Sequence, residues 1–136
     1  MTASKKKGTA AEREVVNFLK IWWPAAERRA LSGNKDKGDV AGIPGVVVEV
    51  KAASRLELAK WQRETYAELA NAGVSACVLV VKRAYKAVGQ WDAYVPADQI
   101  PSVLRWGGEQ AVTKDGCVWV RMDLLLAATL LKANGY

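Results

Sequence analysis

Asp39, Glu49 and Lys51 are the residues of this 136-residue chain whose types and spacing could do chemistry. Side chains alternate along a strand, so in Val46-Val47-Val48-Glu49-Val50-Lys51 the valines at 46, 48 and 50 share one face, while Val47, Glu49 and Lys51 share the other. An acid and a lysine on one face of an apolar run must pair, bind an ion or face a cleft, because burying unpaired charge is costly. Pro44-Gly45 predicts a tight turn that folds this strand back beside the segment that follows Asp39. Two carboxylates brought within about 4 Å repel by roughly 4 kcal/mol at an effective dielectric of about 20. A divalent cation removes that repulsion and gains oxygen ligands. Glu12, in the first turn of an expected helix, supplies a third acid. Three acids and a lysine, in a chain with no histidine, fit metal-dependent attack of water on a phosphodiester.

Composition narrows the alternatives. The absence of histidine excludes Ser-His-Asp and Cys-His catalysis and histidine-rich zinc sites. Two cysteines, Cys77 and Cys117, cannot make a four-cysteine zinc site, and their surroundings suit buried thiols in a reducing compartment. The net charge is +6, and residues 1–37 hold nine basic residues against four acidic ones. A basic N-terminal third suggests a polyanionic partner, most simply nucleic acid; the alternative is a solvated face with a lysine tail. The longest apolar stretches fall far short of a membrane span, and Glu12, Arg13 and Glu14 stand where a signal peptide needs its hydrophobic stretch. A cytoplasmic location is the expectation.

The elements that must position the acids can be read in order. Residues 1–7 form a flexible basic tail in this reading, and Thr9 with Glu12 makes a capping box for a helix ended by Pro24. Residues 32–38 are turn formers carrying three charges, hence an exposed loop. After the predicted hairpin around Pro44-Gly45 come a helix over 55–72 closed by Gly73 and buried strands over 75–82 and 90–95. A hairpin is expected over 111–121, and a C-terminal helix capped by Asp123 fills most of 122–136. The order predicts one α/β or α+β domain with helices on the faces of a sheet.

The arrangement Glu12, Gly38-Asp39, nine intervening residues, then Glu49-Val50-Lys51 resembles the PD-(D/E)xK nuclease superfamily. Residues 7–16, Lys-Gly-Thr-Ala-Ala-Glu-Arg-Glu-Val-Val, are similar to the opening helix of archaeal-type Holliday junction resolvases, as is the basic-to-glycine loop before Asp39. Gly38 stands where the name-giving motif has proline. The resemblance implies a restriction-endonuclease-like central mixed sheet flanked by helices, over one domain of residues 1–136. It implies Asp39 and Glu49 as ligands of Mg²⁺ (or Mn²⁺), Lys51 as the catalytic lysine, and Glu12 as a further acid holding metal or water. It further implies that Arg13 and one of Arg28 or Arg29, with Arg29 favoured on spacing, contact DNA phosphates, and that Ser32 lies in a loop near the junction. Lys5, Lys6, Lys7, Lys35 and Lys37 complete the expected DNA-binding set. The partner would be a four-way DNA junction, the enzyme a homodimer, and a phage or prophage a fitting source. The alternatives are another nuclease on the same fold, of restriction or flap and single-strand type, and a DNA-binding module that does not cut.

Gln62 and Tyr66 lie four apart on one helix face, a Gln-x-x-x-Tyr pair that also occurs near the site in recombination exonucleases of this superfamily. Six tryptophans are many for this length, and most are expected in the core or an interface rather than stacked on bases. The C-terminal helix, apolar almost all round, is expected to complete the core or to form a dimer contact.

Overall fold

The computed structural model describes residues 2–29, 37–99 and 118–136. The elements run α1 (Ala3–Leu19), β1 (Glu27–Arg28), β2 (Val40–Ala41), β3 (Val46–Lys51), α2 (Leu58–Ala72), β4 (Ala76–Val81), β5 (Asp92–Pro96), β6 (Trp119–Asp123) and α3 (Leu124–Ala133). Four strands form one mixed sheet in the order β3-β4-β5-β6. β3 and β4 are parallel, with α2 as the crossover, and β5 and β6 continue antiparallel. β1 and β2 make a separate antiparallel ribbon.

The sheet has a core on each face. All six residues of β4 are buried, as a central strand covered on both sides requires. Val46, Val48 and Val50 pack with Val78, Val80, Trp91 and Val95 under Val15 and Leu19 of α1 and Leu124, Ala127 and Leu131 of α3. On the opposite face Leu79, Val81 and Tyr94 meet Trp61 of α2, and Val47 and Cys77 meet Leu69. The alternation expected for β3 therefore holds. Trp23, Trp61 and Trp91 are core residues, as expected for most of the tryptophans; Trp106 lies outside the described residues. Among the described residues no helix is long and apolar enough to cross a membrane.

Several local expectations need correction. α1 starts at Ala3, six residues before Thr9, behind the N-cap Thr2, whose hydroxyl accepts the Lys5 N–H at 3.2 Å. Lys5, Lys6 and Lys7 thus lie in its exposed first turns rather than in a loose tail, and Thr9 and Glu12 are interior positions. Alanine and lysine are good helix formers, which offsets the roughly 1 kcal/mol cost of Gly8. The two strands of the expected hairpin do not pair in one ladder: β2 pairs with β1, an element the sequence did not predict, and β3 pairs with β4. Asp123 holds the N-cap position of α3 without a side-chain capping bond. α3 does complete the core, yet Leu125 and Leu126 on its outer side stay about half exposed. The hairpin expected around 114–116 lies outside the described residues, apart from its last strand, β6.

The chain reversal between β2 and β3 is a turn over Ile43–Val46, closed by the Val46 N–H on the Ile43 carbonyl at 3.3 Å, with Gly45 at φ +81° where such a turn needs glycine. Gly42 is more constrained. It has φ +86°, and a Cβ there would run into the Ala25 carbonyl. Gly42→Ala combines left-handed strain with a backbone clash, so it is expected to cost about 3 kcal/mol and lower the melting temperature by roughly 10 °C. Gly73→Ala, at φ +67° in open space, is the control and should lose only about 1 kcal/mol. Thermal unfolding followed by circular dichroism checks both.

Candidate active site

The acids are brought together by main-chain hydrogen bonds. Gly38, at φ +94°, lies flat on β3: a Cβ there would sit 3.0 Å from both the Val47 Cγ1 atom and the Val48 carbonyl oxygen. Proline is locked near φ −65° and cannot take this conformation, so the glycine before Asp39 is a local structural requirement. From it, the Asp39 N–H donates to the Val48 carbonyl (2.8 Å), and Asp39 Oδ2 accepts the Val50 N–H (2.8 Å). The two bonds grip β3 on either side of Glu49. They set the Asp39 carboxylate within hydrogen-bonding reach of the Glu49 side chain.

Glu49 is 6% exposed, and its Oε2 is buried with no hydrogen-bond partner among the described residues. Burial raises its pKa first, and the neighbouring Asp39 and Glu68 add to that, so that it is pushed up to about 10 against the pull of Lys51. Lys51 Nζ stands 3.5 Å from Glu49 Oε1 and 3.7 Å from Glu64 Oε2. By distance the first contact is an ion pair. Glu49, however, is buried among acids and faces a single lysine, so at neutral pH it holds its proton and Glu64 is the ionic partner of Lys51. Burial acts to lower the Lys51 pKa, but Glu49, Glu64 and Asp39 outweigh it and the net shift is upward. Asp39 is raised too, by burial and by the charge of Glu12, against the Val50 hydrogen bond that favours its ionised form.

Glu12 sits on the inner stripe of α1, one turn before Val16, and its charge reaches Asp39. Its Oε2 accepts from Arg28 Nε at 3.0 Å and lies 3.0 Å from Arg28 Nη2. Arg28 is thereby committed to Glu12. Arg29, the residue favoured for a phosphate contact, has an exposed side chain and uses its N–H on the Asp39 carbonyl (2.9 Å). Arg13 and Lys37 are exposed; Ser32 and Lys35 lie outside the described residues.

Two acids of α2 escaped the sequence reading. Glu64 holds Lys51, and Glu68, 4% exposed, hydrogen-bonds the Glu49 side chain. Their signal was present: Trp61, Thr65 and Glu68 fall at helical spacing, which puts an acid on the buried stripe of an amphipathic helix. Gln62 is buried on this helix, whereas Tyr66 is 45% exposed with its ring edge-on to Trp119 at 6.3 Å.

Oxygen is the only donor atom these residues offer, and a buried Glu49 oxygen without a partner suits a hard cation such as Mg²⁺ or Mn²⁺. Among the described residues no three acids or cysteines stand close enough to cage a metal alone. Mg²⁺ does not require that, since it commonly takes one or two carboxylates and fills its remaining positions with water and substrate phosphate. Asp39 and Glu49 are the pair that would hold it. No protein-family model matches the chain, and no curated protein matches it.

Proposed function

We propose that this chain is a metal-dependent DNA endonuclease of the PD-(D/E)xK kind, and specifically a Holliday junction resolvase that works as a homodimer. The observation that carries the reading is the grip of Asp39 on both sides of Glu49, with the Lys51 ammonium 3.5 Å away on the same strand face. A structural ion pair would not need three further acids around it.

When bound, Mg²⁺ supplies a water of lowered pKa and neutralises charge on the phosphate oxygens. The chain's own residues do the rest. Asp39 and Glu49 set the cation's place, and Glu49 must give up its proton to do so. Lys51, kept charged by its acidic neighbours, orients the attacking water. The water oxygen bonds to phosphorus as one P–O bond breaks, and the proton the water gives up to solvent is balanced by the one the leaving oxygen takes from it. Exposed Lys5, Lys6, Lys7, Arg13, Arg29 and Lys37 supply phosphate contacts along the DNA. A two-fold dimer would match the two-fold symmetry of a junction cut in two places.

The test is cleavage of a labelled immobile four-way junction beside linear duplex and flap DNA, with Mg²⁺ or EDTA. Paired symmetric nicks in the junction alone, lost in EDTA, are expected. Equal cutting of duplex or flap would keep the nuclease and discard the junction preference. Binding without cutting under any divalent metal would overturn the enzyme reading.

A further inference from the structure

The loop leaving β4 carries a tyrosine at a position that ordinarily takes glycine. Lys51 pairs with Val81 at the ends of the parallel strands β3 and β4, and the next residue, Lys82, donates its N–H to the Lys51 carbonyl at 2.9 Å. The loop therefore starts at the same end of the sheet as the candidate active site. It turns at Arg83–Lys86, where the Lys86 N–H meets the Arg83 carbonyl at 3.3 Å. Tyr85 takes the third position of that turn at φ +62°, the one positive φ outside glycine among the described residues. A bulky side chain is disfavoured in this conformation, and glycine is its usual occupant.

Among the described residues no hydrogen bond, ion pair or ring contact of the Tyr85 side chain compensates for that choice. The Tyr85 side chain is fully exposed, at 105% of its reference area. Arg83 and Lys86 beside it are exposed as well, and no acid occurs between Lys82 and Trp91. The loop itself is firmly held. The Nε1–H of fully buried Trp91 donates to the Lys86 carbonyl at 3.0 Å, and the Lys82 ammonium lies 5.4 Å from the Trp91 ring centroid. One exposed aromatic ring thus stands on a firmly held loop, with Arg83 and Lys86 on either side of it in the chain and alanines at 84 and 87. That chemistry fits a base with phosphates on either side; an apolar protein surface would find a single ring to bury and two charges to desolvate.

We propose that Tyr85 is a stacking platform for an unpaired base, with Arg83 and Lys86 holding the flanking phosphates. The inference rests on the reading of the chain as DNA-directed and adds recognition of unstacked bases by a loop that starts at the Lys51 end of the sheet. The experiment is fluorescence anisotropy in Ca²⁺ with a blunt duplex and with a gapped duplex carrying 2-aminopurine in the gap. The wild type is expected to bind the gapped duplex about tenfold more tightly and to quench the 2-aminopurine. Tyr85→Asn, which suits the left-handed turn, should lose the preference and the quenching while keeping its duplex affinity and melting temperature; Tyr85→Phe should keep all of them. Unchanged preference and quenching in Tyr85→Asn, beside a wild type that binds and cuts DNA, would overturn this inference alone. A wild type that binds neither DNA would overturn the nuclease reading with it.

Discussion

Glu49→Gln is expected to raise the melting temperature of the metal-free protein at pH 8.5 and to abolish cleavage. Glu49 keeps its proton in the folded state up to about 10, whereas its ordinary value is 4.5. Between those values the unfolded chain has released a proton that the folded chain retains, so stability falls as pH rises. One such group changes stability by about 1.4 kcal/mol per pH unit. From pH 6 to pH 8.5 the loss approaches about 3 kcal/mol, or roughly 10 °C in melting temperature for a domain of this size. Asp39, also raised, has the same sign over the range between its ordinary value and its raised one. Lys51 does not oppose it in this window, because a lysine raised above 10.5 loses its contribution only as pH climbs through the folded value. Glutamine removes the ionisation and the slope. Adding Mg²⁺ or Ca²⁺ should stabilise the wild type more as pH rises, since the cation must displace that proton, and should leave Glu49→Gln unmoved. Calorimetry across this range decides the matter: a destabilised Glu49→Gln with a flat wild-type profile would mean an ordinary ion pair between Glu49 and Lys51.

Lys51→Met is expected to cut about 10³-fold more slowly in single turnover while binding the junction normally in Ca²⁺. The substitution keeps most of the stem and removes one cation from the place where charge develops, a loss of about 4 kcal/mol of transition-state stabilisation. Removing it leaves Glu64 with its longer contact to Lys60 at 4.0 Å, so folding should survive. If affinity falls and the single-turnover rate stands, Lys51 is a phosphate anchor and water orientation must be assigned elsewhere.

The strand faces were legible in the sequence because a period of two needs only local information: Val46, Val48 and Val50 went to one core and Glu49 to the other face. The Pro44-Gly45 turn was legible for the same reason, since turn chemistry is written in adjacent residues. What escaped was decided by tertiary contact. The β1–β2 ribbon has only two residues per strand and no periodicity to detect. The start of α1 was masked by a capping-box pattern at Thr9 and Glu12 that the structure does not use as a helix end. Glu68 was passed over because acids on a helix are ordinarily solvated; only the packing of α2 against β3 turns it toward Glu49.

Because Asp39 grips β3 through peptide groups, the spacing of the acids depends on chain length more than on side-chain identity. Swapping Val47 or Val48 for another residue leaves both hydrogen bonds in place. Inserting or deleting one residue between Asp39 and Glu49 within the strand would exchange its two faces. Glu49 and Lys51 would then both point beneath α1, and Val50 toward α2. Families built on this device are expected to drift freely in core composition while holding the count of residues inside the strand fixed. Length variation would be confined to the loops outside the grip.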